Sequence, residues 1–148
     1  RPEQESLRGT VTEAQFADLR AGRGMGLALP AELNGFPGAL HVLENADALA
    51  LTPEQRARTK AVFEAMKAEA VPLGERLIRE ETALEDLFAS RTVQHANLEA
   101  ATASIGATQG RLRAAHLRYH LAMMDVLTPE QVRRYADVRG YGGASATG

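Results

Sequence analysis

The chain has 148 residues, with 17 Lys and Arg against 19 Asp and Glu, 45% hydrophobic residues and no cysteine. This is one domain's length and an ordinary soluble composition. A formal charge of −2 removes the bulk electrostatic case for nucleic-acid binding, the lack of thiols excludes cysteine nucleophiles, disulfides and thiolate metal sites, and no apolar run approaches the ~20 residues that cross a bilayer. Aromatics are 5% and Trp is absent, while Ala, Leu, Glu and Arg abound. That balance favours helix over sheet, so the fold is expected to be all-α. The chain opens on Arg1 without an initiator Met or an apolar targeting stretch. It reads as a processed or trimmed chain whose export signal would lie outside it.

Residues 1–38 read as an N-terminal arm. Thr12-Glu13-Ala14-Gln15 has capping-box spacing and predicts a short helix ending near Gly22. Gly22-Arg23-Gly24-Met25-Gly26, then Pro30, Gly35, Pro37 and Gly38, predict an extended arm or ordered loop with no regular element. The arm is expected to lie on the domain or on a partner subunit; it lacks the Lys-Ser/Thr ending of a phosphate loop. Residues 39–141 form the main domain. A short helix is predicted from Ala39 to Ala50, a long one from the next corner to about Ala89, a turn at Ser90-Arg91-Thr92, a second long helix to about Val126, and a short helix ending near Gly140. The tail, 142–148, holds only Gly, Ala, Ser and Thr and is expected to be flexible.

The strongest signal is a pentapeptide that occurs twice, as Leu51-Thr52-Pro53-Glu54-Gln55 and Leu127-Thr128-Pro129-Glu130-Gln131, 76 residues apart. Thr serves as N-cap, Pro takes the first helical position where its missing N–H costs nothing, and Gln reaches back to the cap N–H. Pro also disfavours helix for the Thr before it, so each copy is a sharp helix-to-helix corner. Leu127 is placed to staple onto Val132.

Between the corners two stripes follow 3–4 spacing: Phe63, Met66, Ala70, Leu73, Leu77, Glu80, Leu84 and Leu87, then Leu98, Ala101, Ile105, Thr108, Leu112, Ala115, Tyr119, Ala122 and Val126. Joined by a tight turn, they predict an antiparallel hairpin with coiled-coil-like packing. Glu80 is the mismatch, Pro72 and Gly74 are expected to bend the first helix, and Gly106 and Gly110 form a small-residue edge on the second. One hairpin cannot bury both faces of both helices, so a homodimer is expected.

The twin corners framing two long helices, over about Ala39 to Tyr141, resemble the bacterial periplasmic LTxxQ proteins. These include the Spy and CpxP stress chaperones and the heavy-metal resistance sensors of the CnrX and zinc-resistance-associated type. The resemblance implies a hooked helical hairpin that dimerises, export to the periplasm, and one of two activities. The chaperones shelter unfolding proteins on a concave surface; the metal members bind nickel, cobalt, zinc or copper through His, Glu and Met near the corners.

The residues offer such a donor set. His116, His120 and Met124 lie at i, i+4 and i+8, which stacks them on one stripe just before the second corner. Two imidazoles four apart can share one metal, and a thioether adds a soft ligand that favours copper. His120-x-x-x-Met124 is similar to the His-x-x-x-Met step of the sensors, with Met123 as a competing choice. A turn near Arg91 sets residue i opposite about 182 − i, which puts Glu64 across from about residue 118, similar to the sensor Glu. His41, with Glu44 at i+3, is the matching N-terminal imidazole. Asn45 stands where sensors carry a second histidine. The metal set is thus His41, Glu64, His116, His120 and Met124, with Zn, Ni, Co or Cu as the candidate ion. His95 reads as ordinary surface.

The chaperone alternative, binding unfolded clients, draws on exposed apolar faces and on Met66, Met123 and Met124, which adapt to varied surfaces. The net charge and the few aromatics stand against it. Glu80-Glu81 and Glu85-Asp86 are adjacent carboxylates about 100° apart on a helix, so they do not form an acid/base pair, and no nucleophile–base geometry is evident; no enzyme is expected. The sequence reading is a non-enzymatic, homodimeric metal sensor or buffer of the envelope, with a signalling partner or client proteins and no nucleic acid.

Overall fold

The structure, a computed structural model, describes residues 14, 15, 17, 19 and 27–141. Every regular element among them is helical: α1 (Leu29–Glu32), α2 (Ala39–Glu44), α3 (Pro53–Ala89), α4 (His95–Met123) and α5 (Pro129–Val138). The all-α expectation holds, and the two long helices pack against each other. Residues 14, 15, 17 and 19 are helical too. Thr12, Glu13, the glycine run 22–26 and the tail 142–148 lie outside the described residues.

The chain divides into two compact units, residues 1–25 with 68–114 and residues 26–67 with 115–148; α3 and α4 each contribute to both. In the first unit Leu19, Ala70, Leu77, Ile105, Thr108 and Leu112 are buried. A Cβ on Gly74 would lie 2.6 Å from the Leu19 carbonyl oxygen, so glycine there admits a close backbone approach. α3 runs as one helix through Pro72. The mismatched Glu80 takes Arg76 Nε at 3.2 Å. The expected turn forms with Arg91 at φ +59, and Asn97 Oδ1 accepts from Gln94 N at 2.7 Å to open α4. Gly106 and Gly110 face open space. No member of either predicted stripe is exposed.

The second unit holds the cluster of Ala39, Val42, Ala46, Leu49, Leu51, Met123, Val126, Leu127 and Tyr135, with Val62, Phe63, Val132 and Tyr141 packed on it. Both corners form the capping box: Thr52 N–Gln55 Oε1 and Gln55 N–Thr52 Oγ1 are both 3.0 Å, and Thr128 N–Gln131 Oε1 and Gln131 N–Thr128 Oγ1 are 2.9 and 3.2 Å. The two glutamines then meet. Gln55 Nε2 donates to Gln131 Oε1 at 2.7 Å and Gln131 Nε2 donates back to Gln55 Oε1 at 3.0 Å. Their second hydrogens go to Val126 O at 2.9 Å and Leu49 O at 3.2 Å. Both amides are fully satisfied, and the corners lock each other.

Three boundaries differ from expectation, each for a local reason. The Gly/Pro-rich stretch before Ala39 does contain one helical turn, α1. Pro30 falls in its first turn, where no N–H is needed, and Ala28 O accepts from Ala31 N and Glu32 N, both at 3.0 Å. α2 stops at Glu44 because Asn45 Nδ2 takes the His41 carbonyl at 2.8 Å and the chain turns. α4 stops at Met123 because Val126 N and Leu127 N both fold back on Met123 O, at 3.0 and 3.1 Å, leading into the extended Thr128 that Pro129 demands.

Candidate metal site

The second unit carries all five predicted metal-site residues. His116 sits on α4 with 5% of its surface exposed, and its Nε2 has no hydrogen-bond partner among the described residues. Burial, and then the neighbouring His120, push its pKa below the ordinary 6.5, so the ring is held neutral.

His120, one turn on, is 12% exposed at its side chain. Its Nδ1 lies 2.7 Å from the Phe36 carbonyl oxygen. A carbonyl only accepts, so Nδ1 carries a hydrogen, and in the neutral form of the ring the lone pair is then on Nε2. Ligating imidazoles are commonly oriented in this way, one nitrogen donating to a carbonyl while the other meets the ion. Gly38 lies alongside: a Cβ there would stand 2.8 Å from His120 Cε1, 3.1 Å from Nε2 and 3.1 Å from Glu32 Oε2. Its backbone, φ −94 and ψ 148, suits any residue, so the glycine is needed for room beside the imidazole.

Neither His41 nor Glu64 joins this pair in a metal-holding group among the described residues. His41 Nδ1 engages Glu44 Oε1 at 2.9 Å on a half-exposed helix. Glu64 is exposed on α3. Met124 lies past the end of α4, 37% exposed, while Met123 is wholly buried in the core. Among the described residues no group of three or more His, Asp or Glu is arranged to hold a metal ion. What remains is a pair of imidazoles one helical turn apart: His116, with its buried Nε2 unpartnered, and His120, with its Nδ1 held by the Phe36 carbonyl.

A carboxylate that the sequence reading missed organises the surroundings. Glu32, 8% exposed, accepts from Tyr135 OH at 2.7 and 2.8 Å, Tyr141 OH at 3.2 Å and Gly38 N at 2.8 Å. Arg139 Nε is 3.9 Å away and His120 Nδ1 3.6 Å. Burial and the hydrogen bond to Glu32 drive the Tyr135 phenol far up, so it stays a donor at any working pH. These partners lie 103 and 109 positions along the chain, and no local spacing announces them.

The chain belongs to the heavy-metal resistance family, whose model matches residues 35–134. No curated protein and no solved structure matched it. No helix among the described residues is long and apolar enough to cross a membrane.

Proposed function

We propose that this protein acts, without enzymatic activity, in heavy-metal resistance in the periplasm, as a homodimeric sensor or buffer for a divalent transition ion. His116 and His120 would hold the ion. The carrying observation is the buried, unpartnered Nε2 of His116 one turn from a His120 whose Nε2 lone pair is set by the Phe36 carbonyl. Imidazole suits zinc, copper, nickel and cobalt. Two protein ligands bind more weakly than a closed cage of four, which suits a buffer or sensor that must release its ion.

Calorimetric titration of metal-stripped protein with Zn²⁺, Ni²⁺, Co²⁺ and Cu²⁺ tests this. The expected result is micromolar binding that His120→Ala abolishes and His116→Ala weakens. No binding, or binding indifferent to both substitutions, overturns it.

A second reading, an ATP-independent chaperone for unfolded clients, is favoured by Leu29, Leu33 and Leu121, 50%, 51% and 62% exposed in the same unit. It predicts that substoichiometric protein suppresses aggregation of an unrelated unfolding client. No suppression at excess ends it.

A further inference from the structure

Residues 29–38 reach His120 at three points: the Phe36 carbonyl takes the Nδ1 hydrogen, Glu32 Oε2 stands 3.6 Å from the same nitrogen, and the bare Cα of Gly38 lies beside Cε1 and Nε2. The segment is itself held by Glu32. Its carboxylate ties α1 to the hydroxyls of Tyr135 and Tyr141, and through Gly38 N it ties the far end of the loop that carries Phe36. One buried anion thus fixes both ends of a short loop whose carbonyl is aimed at the imidazole. An unconstrained neutral histidine exchanges its hydrogen between the two nitrogens, and the hydrogen bonds around it decide where it rests. Here a carbonyl and a carboxylate both stand at Nδ1, so the hydrogen rests there and Nε2 is the donor atom.

We propose that Glu32, acting through the loop 33–38, is a positioning residue that locks His120 as its Nδ1–H form and so presents Nε2 to a divalent cation. This rests on the reading of His120 as a metal ligand. Gly38 completes the device by keeping a side chain out of the space beside Nε2. Outer-shell hydrogen bonds of this kind typically change metal affinity by about 10- to 100-fold.

The test uses the full chain, labelled with ¹⁵N and free of metal, at about pH 7.5, where imidazoles are neutral. Long-range ¹H–¹⁵N correlation reads the His120 tautomer, and Zn²⁺ calorimetry is run on the same samples. Wild type is expected to show Nδ1–H. Glu32→Gln is expected to lose that preference and to bind Zn²⁺ about 10- to 100-fold more weakly with unchanged stoichiometry. Tyr135→Phe, which leaves the carboxylate in place, is expected to keep the tautomer. Circular dichroism checks folding. If Glu32→Gln does not fold, Glu32→Asp, which keeps the charge but shortens its reach to Gly38 N and Tyr135, gives the reading instead: a shifted His120 tautomer is expected, and an unchanged one overturns the proposal.

A wild-type Nε2–H form, or a tautomer that Glu32→Gln leaves unchanged, overturns the proposal. So does a changed tautomer with unchanged Zn²⁺ affinity when His120→Ala abolishes binding. If wild type binds no Zn²⁺, the metal reading fails by itself; a tautomer that shifts in Glu32→Gln still upholds the positioning role, and one that does not overturns it.

Discussion

The two corners share five residues and the same capping hydrogen bonds, yet their neighbours give them different work. At the first, Ala50 takes a left-handed turn at φ +54 to enter Leu51, and Arg56 Nη2 meets Asp47 Oδ1 at 2.6 Å on the surface. Little else is built there beyond the seat of α2. At the second, α4 arrives with Met123 buried and with His120 and His116 one and two turns upstream, and α5 leaves carrying Arg134 to the Ala48 carbonyl and Tyr135 to Glu32. The pentapeptide supplies an angle and a lock. What each copy does is set by the residues on either side of it, and the two candidate imidazoles lie just before the second.

Substitutions can separate the shared part from the specific part. The largest effect is expected at the second corner's core: Met123→Ala should cost about 2–5 kcal/mol in urea unfolding, whereas Met124→Ala, on a half-exposed side chain, should cost less than about 0.5 kcal/mol. Equal losses would mean that the sulfur at 124 is packed after all. Next come the shared glutamines. Gln55→Ala and Gln131→Ala should each cost about 2 kcal/mol, since each strands the other's amide, and the double variant should cost clearly less than their sum. Additive losses would show that the two corners fold independently. Smallest is a pH effect confined to the second corner. The His116 pKa is depressed in the fold, so the unfolded chain binds the proton more readily. Stability is therefore full above the ordinary 6.5 and declines as pH falls below it. His116→Gln should flatten that decline in melting curves, and an unaltered slope would assign it to other groups.

Much of this fold was legible because its signals are local. The twin capping boxes, the 3–4 stripes and the turn at Arg91 each lie within a few residues, and each formed where expected. The pairing of Gln55 with Gln131 was hidden because a capping glutamine seems already employed; nothing in either pentapeptide shows that its amide has two further bonds to make. α1 was hidden because one proline at the start of a helical turn outweighs the glycines that follow. At the site, the His116–His120 stripe was readable from i, i+4 spacing, and the differing burial of Met123 and Met124 was not. The orienting partner of His120 was not readable, because it is a backbone carbonyl 84 positions away that any residue would supply. Glu32 was passed over because a buried carboxylate is identified only by its partners, and these come from the far end of the chain.

The amide pair has a further consequence for how this end of the molecule opens. Each glutamine has two donors and two acceptor directions, and each fills them from its own cap and from the opposite corner, so neither corner can loosen while the other keeps its bonds. The chain between them, which sets them 76 positions apart, can form helix early, since helical contacts are local, but the pair closes only when the whole span has returned on itself. The corner end is therefore built as a single cooperative latch, whose two halves hold or release together.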